Sequence, residues 1–93
     1  MALHLKFEIS PDVIFSEVQL DETLLMNSRT LAYFGLDPLG SKLWQAMQLT
    51  QDADEVVRQV ATETDKGSWE IEPVLQTILT GLERSGLIRT ARY

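Results

Sequence analysis

Hydrophobic and polar positions divide the chain at Asp37-Pro38 into a strand-rich first part and a helical remainder. Before that point, short runs of β-branched and aromatic residues alternate in part with polar ones, which predicts β-strands. Three strands are expected, over residues 13–19, 23–27 and 31–36, and residues 5–10 form a further short strand or an arm. Because the links are short, an antiparallel meander is favoured, with the first and third strands at its edges.

After Pro38, apolar residues recur at helical spacing and predict three helices. Pro38 suits the first position of a helix that Asp37 caps and that runs to about residue 49. Asp52, followed three residues later by Glu55, resembles a capping box that starts the second helix. The third helix begins near residue 69 or 70 and ends before Gly86, a residue suited to the left-handed conformation after a helix. The predicted fold class is therefore α+β.

The third helix carries two adjacent apolar stripes and has no charged residue between positions 73 and 82. The first stripe is Ile71, Leu75, Ile78, Leu79 and Leu82, and the second is Val74, Thr77, Ile78 and Gly81. A helix with one buried face normally carries charge on the other. Gly81 costs about 1 kcal/mol relative to Ala inside a helix, which indicates a close approach there. Either this helix is simply the most buried one, or its second stripe forms the wall of a groove.

The third predicted strand also lacks charge, from residue 30 to residue 36. An edge strand exposes unpaired N–H and C=O groups, and proteins usually protect it with Lys, Pro or a bulge. No such residue occurs in this segment before Asp37-Pro38. Either another part of the protein covers this strand, or a partner chain adds a strand to it.

Length and composition indicate one domain over residues 1–93, with 44% hydrophobic and 24% charged residues. The net charge of −6 argues against a nucleic-acid partner, since phosphate binding needs clustered Lys and Arg. The chain has no Cys and no apolar run of the length of a signal peptide or a membrane span, so we expect a cytoplasmic protein without a membrane partner.

Catalytic chemistry is not indicated by the sequence. His4 is the single histidine, which argues against a Ser–His–Asp arrangement and leaves metal binding to carboxylates alone. The acidic run at residues 52–55 fits the first turn of a helix and lacks the spacing of an EF-hand loop. A glycine-rich phosphate loop is also absent. We therefore predict no enzyme activity, no metal and no cofactor.

An ordered set of motifs resembles PqqD-like proteins, the recognition elements of pathways that modify ribosomally made peptides. The motifs are Tyr33-Phe34-Gly35-Leu36-Asp37, then Gly40 followed by Leu43-Trp44, and finally Gly86-Leu87-Ile88. The resemblance covers about residues 10–90 and is strongest to the small leader-binding proteins of lasso-peptide clusters. It implies a winged helix-turn-helix-like fold, in which a three-stranded antiparallel sheet precedes three helices. One departure is Leu31-Ala32, where the family often has Gly-Arg, and we expect it to alter the turn.

The resemblance also implies a function, which is binding of the leader region of a precursor peptide. The leader would add as a strand to the third strand and lie against the third helix, and a separate enzyme would then process the precursor. In lasso systems that enzyme is a cysteine-type leader peptidase. The predicted peptide-binding residues are Leu31, Ala32, Tyr33, Phe34, Gly35, Val74, Thr77, Ile78 and Gly81. Alternation alone does not decide which face of the strand is buried, and we favour Tyr33 near the groove.

Two other functions fit parts of the pattern. A winged helix could bind DNA through the helix pair around residues 50–52, although the acidic second helix would be repelled by phosphate. The open sheet edge could instead pair with a second copy of the chain and form a homodimer.

Overall fold

The computed structural model describes residues 3–19 and 21–92. Its elements in chain order are β1 Leu5–Ile9, β2 Val13–Gln19, β3 Glu22–Asn27, β4 Tyr33–Leu36, α1 Pro38–Met47, α2 Ala53–Thr64, α3 Ser68–Arg84 and β5 Ile88–Arg92.

The predicted meander is confirmed as a three-stranded antiparallel sheet in the order β2-β3-β4, followed by three helices. Leu25 of β3 lies between Phe15 of β2 and Phe34 of β4. Residues that face each other across antiparallel strands share one side of the sheet. Leu25 is fully buried, so this side faces the core and Phe34 points the same way.

The third strand of the meander is shorter than predicted. The prediction of strand at Leu31 and Ala32 is wrong, because β4 begins only at Tyr33. Leu31 has a φ of 64° and donates its N–H to the Asn27 carbonyl at 2.7 Å, which places it in the turn. The Asn27 side chain holds this turn by accepting the N–H groups of Arg29 and Thr30. The turn therefore extends two residues beyond the polar Asn27-Ser28-Arg29-Thr30 segment.

A second, two-stranded sheet joins the two ends of the described chain. β1 confirms the short strand expected near residues 5–10, and it pairs antiparallel with β5. Strand β5 is absent from the sequence-based prediction, since its five residues carry only a weak alternation. Phe7 in β1 is buried and also donates its N–H to the Gln51 carbonyl at 3.0 Å, which ties β1 to the link between α1 and α2.

The helix starts follow the predicted caps, with one correction. Asp37 accepts the Gly40 N–H at 2.7 Å, and Asp52 accepts the Asp54 N–H at 2.9 Å. The capping box expected from Glu55 is wrong, because its carboxylate pairs with the Arg58 guanidinium instead. That carboxylate hydrogen-bonds the exposed guanidinium and raises the pKa of Arg58.

Helix α3 contributes the largest share of the core. All five residues of its first predicted stripe are buried: Ile71, Leu75, Ile78, Leu79 and Leu82. The helix ends as expected, with Gly86 at a φ of 72° and the Leu87 N–H donated back to the Leu82 carbonyl at 2.9 Å. Among the described helices, none is both long and apolar enough to cross a lipid bilayer.

Candidate functional site

An open cleft of about 500 Å³ lies between β4 and α3, and we call it the β4–α3 groove. Strand β4 and the residue after it form one side, and the second and third turns of α3 form the other. The lining residues are Phe34, Gly35, Leu36, Asp37, Pro73, Val74, Thr77 and Ile78. The two charge-free segments of the sequence are therefore neighbours in space.

The helical wall of the groove uses three of the four residues of the second predicted stripe, namely Val74, Thr77 and Ile78. Ile78 also belongs to the core cluster, so it supports the fold and the wall together. The exposed Thr77 donates its hydroxyl to the Pro73 carbonyl at 3.0 Å, which satisfies that donor within the helix. The wall is consequently apolar in character despite the threonine.

Gly81, the fourth residue of the stripe, lies beneath the ring of Phe34 and does not line the groove. A Cβ atom at Gly81 would lie 2.6 Å from Cε1 and 2.8 Å from Cζ of Phe34. This is the close approach that a glycine inside the helix indicated. Because Gly81 has no side chain, the Phe34 ring packs directly on α3 and forms the wall of the groove at that end.

The expectation that Tyr33 lies near the groove is wrong, because Phe34 is the aromatic residue that lines it. Phe34 pairs with the buried Leu25 and so shares the inner face of the sheet. Successive side chains of a strand point to opposite faces, which puts Tyr33 on the outer face, where it is 69% exposed.

The outer edge of β4 is unoccupied within the part of the chain that the structure describes, since β4 pairs with β3 alone. The Asn27 N–H donates to the Ala32 carbonyl at 2.8 Å, which makes this a hydrogen-bonded pair. Such pairs alternate along an antiparallel ladder, so Phe34 and Leu36 also direct their main-chain groups to β3. Tyr33 and Gly35 therefore direct theirs outward.

Leu31 and Ala32 do not extend this ladder, contrary to the prediction. The Leu31 N–H is donated to Asn27, and the Ala32 N–H is donated to the Thr30 hydroxyl at 3.3 Å. Both donors are thus satisfied inside the turn. The outward-directed main-chain groups of this edge are therefore those of Tyr33 and Gly35.

Charge at the groove is confined to one lining residue, Asp37, whose carboxylate already accepts the Gly40 N–H. The remaining lining residues are apolar, glycine or threonine, so the cleft offers contacts for apolar side chains beside a row of main-chain donors and acceptors. This combination is that of peptide-binding sites that work by strand addition.

Sequence reasoning missed Leu36, Asp37 and Pro73 as lining residues. Two spacings point to them. Leu36 lies two residues after Phe34 and shares its face of the strand, and Pro73 lies one helical turn before Thr77.

The fold and groove define a small α+β protein with an open strand edge beside an apolar helix. The chain belongs to the family described as coenzyme PQQ synthesis protein D (PqqD), which it matches over residues 22–88.

A solved structure described as "TbiB1 in Complex with the TbiA(beta) Leader Peptide" is similar to this chain, with 28% sequence identity and a TM-score of 0.76. The match covers 88% of this chain and 94% of that one. No curated protein matches the chain significantly.

Proposed function

We propose that this protein binds the leader region of a ribosomally synthesised precursor peptide and presents it to a separate processing enzyme. The leader adds as a strand to the outer edge of β4, and its alternate side chains enter the β4–α3 groove. The chain contributes no catalytic step. Membership of the PqqD family supports this proposal, as does the similarity to TbiB1, whose structure was solved in complex with the TbiA(beta) leader peptide.

The observation that carries the proposal is the position of the open β4 edge directly beside the groove. Tyr33 and Gly35 together offer up to two N–H donors and two C=O acceptors, and each hydrogen bond contributes about 0.5–1.5 kcal/mol net. An apolar side chain that becomes fully buried adds roughly 1.5–3 kcal/mol. Main-chain pairing thus supplies affinity with little demand on sequence, and the groove supplies selection.

The processing enzyme is of the lasso-peptide type, a cysteine-type leader peptidase, and the complex forms in the cytoplasm. Presentation acts by effective concentration, because a precursor held next to the enzyme reacts as if its own concentration were raised.

The test is a matched pair of variants on α3, Thr77→Trp and Thr80→Trp. Both threonines are exposed, and both donate their hydroxyls to the carbonyl four residues earlier at 3.0 Å. Only Thr77 lines the groove. The two substitutions therefore make the same chemical change inside and outside the site.

The probe is a fluorescein-labelled peptide of the TbiA(beta) leader, the peptide named in the similar TbiB1 structure. We expect Thr77→Trp to weaken binding at least about tenfold in a polarisation titration, a loss of about 1.4 kcal/mol. Thr80→Trp should bind as the wild type does. Equal affinity of the two variants, both folded by circular dichroism, would remove the groove from the proposal.

A second copy of the chain is the competing occupant of the same edge, since β4 and β2 both end the sheet without a further strand in the described part of the chain. A homodimer through β4 would exclude the leader from Tyr33 and Gly35. Light scattering distinguishes the two cases: leader binding predicts a 1:1 complex, whereas sheet pairing predicts a dimer that the leader dissociates.

A further inference from the structure

Trp69 lies in the first turn of α3 and is 75% exposed, although exposure of so large an aromatic side chain is unfavourable in water. It precedes Pro73 by four residues, the spacing at which helical side chains are neighbours. Pro73 lines the β4–α3 groove. Trp69 therefore lies on α3 one helical turn before the residues that line the groove.

The backbone beside Trp69 is shaped to hold the indole. A Cβ atom at Gly67 would lie 2.5 Å from Nε1 and 2.7 Å from Cδ1 of Trp69, so a side chain at residue 67 would displace the ring. Gly67 is also the N-cap of α3, and its N–H is donated to the Glu70 carboxylate at 3.0 Å. The indole thus rests on a backbone that is itself restrained.

The direction of β4 relative to α3 defines which part of a bound peptide reaches Trp69. Phe34 contacts Gly81, whereas Leu36 lies with Ile78 around Gly40, so the two elements run in opposite directions. A peptide that pairs antiparallel to β4 consequently runs in the direction of α3. Its N-terminal side lies toward Pro73 and Trp69.

The distance between successive turns of α3 also matches the distance between alternate residues of an extended peptide. Four helical residues, the step from Pro73 back to Trp69, advance about 6 Å. Two residues of an extended strand advance about 6.7 Å. Side chains two apart on a strand share a face, so successive groove-facing side chains of the peptide meet successive turns of α3.

We propose that Trp69 is a specificity-determining residue that contacts the leader peptide two residues N-terminal to the side chain over Pro73 and Val74. This rests on the proposed leader binding and extends it by one subsite. The subsite selects an apolar or aromatic side chain, because a flat indole offers apolar area and ring stacking.

The experiment compares wild type, Trp69→Ala and Leu49→Ala. Leu49 is a matched control, since it is 78% exposed and lies against α2 rather than the groove. Each protein is titrated with the labelled full TbiA(beta) leader and with a version shortened at its N-terminus to begin at the groove-facing residue over Pro73. We expect Trp69→Ala to lose about tenfold in affinity for the full leader and nothing for the shortened one. Leu49→Ala should match wild type for both.

Fluorescence gives a second, independent measurement. Trp44 is 2% exposed, so acrylamide quenching of the wild type reports mainly on Trp69. A saturating, tryptophan-free leader should reduce this quenching, and the shortened leader should leave it unchanged.

Unchanged affinity of Trp69→Ala for the full leader, or quenching that the leader does not alter, would overturn the subsite. The subsite would also be overturned if shortening the leader at its C-terminus, and not at its N-terminus, abolished the effect of Trp69→Ala on affinity. The peptide would then run in the opposite direction along α3. The Thr77→Trp variant distinguishes failure of the proposed leader binding in the groove from failure of the Trp69 subsite alone. If it binds normally, the groove itself fails; if it loses binding while Trp69→Ala does not, only the subsite fails.

Discussion

Replacement of Gly81 by Ala tests whether the contact between α3 and Phe34 shapes the groove. The added methyl group would lie 2.6 Å from Cε1 and 2.8 Å from Cζ of the ring, closer than non-bonded carbon atoms approach in folded proteins. Both atoms are at the far end of the Phe34 side chain, which is half-buried. The ring can therefore move without a shift of the β4 backbone, and the open space available to it is the groove.

The change in the free energy of unfolding of Gly81→Ala follows from two opposing effects. Ala is favoured over Gly inside a helix by about 1 kcal/mol. Displacement of a packed side chain costs about 1–3 kcal/mol. The net loss is thus about 0–2 kcal/mol, within the 5–15 kcal/mol by which small domains are typically stable. Gly81→Ala should remain folded.

Leader affinity should also fall in Gly81→Ala. A ring displaced into the groove occupies the space that peptide side chains need, and we expect binding at least about tenfold weaker. Urea unfolding followed by circular dichroism gives the free energy of unfolding, and polarisation of the labelled leader gives the affinity.

The double variant Gly81→Ala with Phe34→Leu is the control, because leucine lacks the two ring atoms that clash. The stability loss of the pair should be smaller than the sum of the two single losses, which is the sign of a direct contact. If Gly81→Ala instead binds the leader as the wild type does and gains about 1 kcal/mol in stability, the contact does not shape the groove and the reasoning fails.

Three further substitutions, at two positions, test the turn before β4. Leu31 is 65% exposed at a φ of 64°, a conformation that costs a non-glycine residue about 1–2 kcal/mol. Glycine removes this cost but loses more conformational entropy on folding, so Leu31→Gly should raise the urea midpoint by the equivalent of about 0.5 kcal/mol. Leu31→Val should lower the midpoint. A lower midpoint for Leu31→Gly would contradict the turn geometry. Asn27 is buried, donates to the Gly86 carbonyl at 2.9 Å and accepts the N–H groups of Arg29 and Thr30. Asn27→Ala should cost about 3 kcal/mol of unfolding free energy, and an unchanged urea midpoint would show that these bonds do not hold the turn.

Local chemistry in the sequence determined much of the fold. Asp37 and Asp52 cap their helices, and Gly86 ends α3 in the left-handed conformation, as predicted. The alternation of residues in β2 and β3 was sufficient to predict the three-stranded sheet. The two stripes of α3 were sufficient to predict its core face and most of the groove wall. These features depend on residues within one or two turns of each other, so a pattern along the chain contains them.

Only the tertiary structure decided the features that depend on distant residues. The start of β4 at Tyr33 follows from the Asn27 side chain, which also binds Gly86 across the fold. The pairing of β5 with β1 joins the two ends of the described chain, and neither strand has a strong pattern alone. The inward position of Phe34 follows from its pairing with Leu25, since a shift of one residue in register would exchange the two faces of the strand.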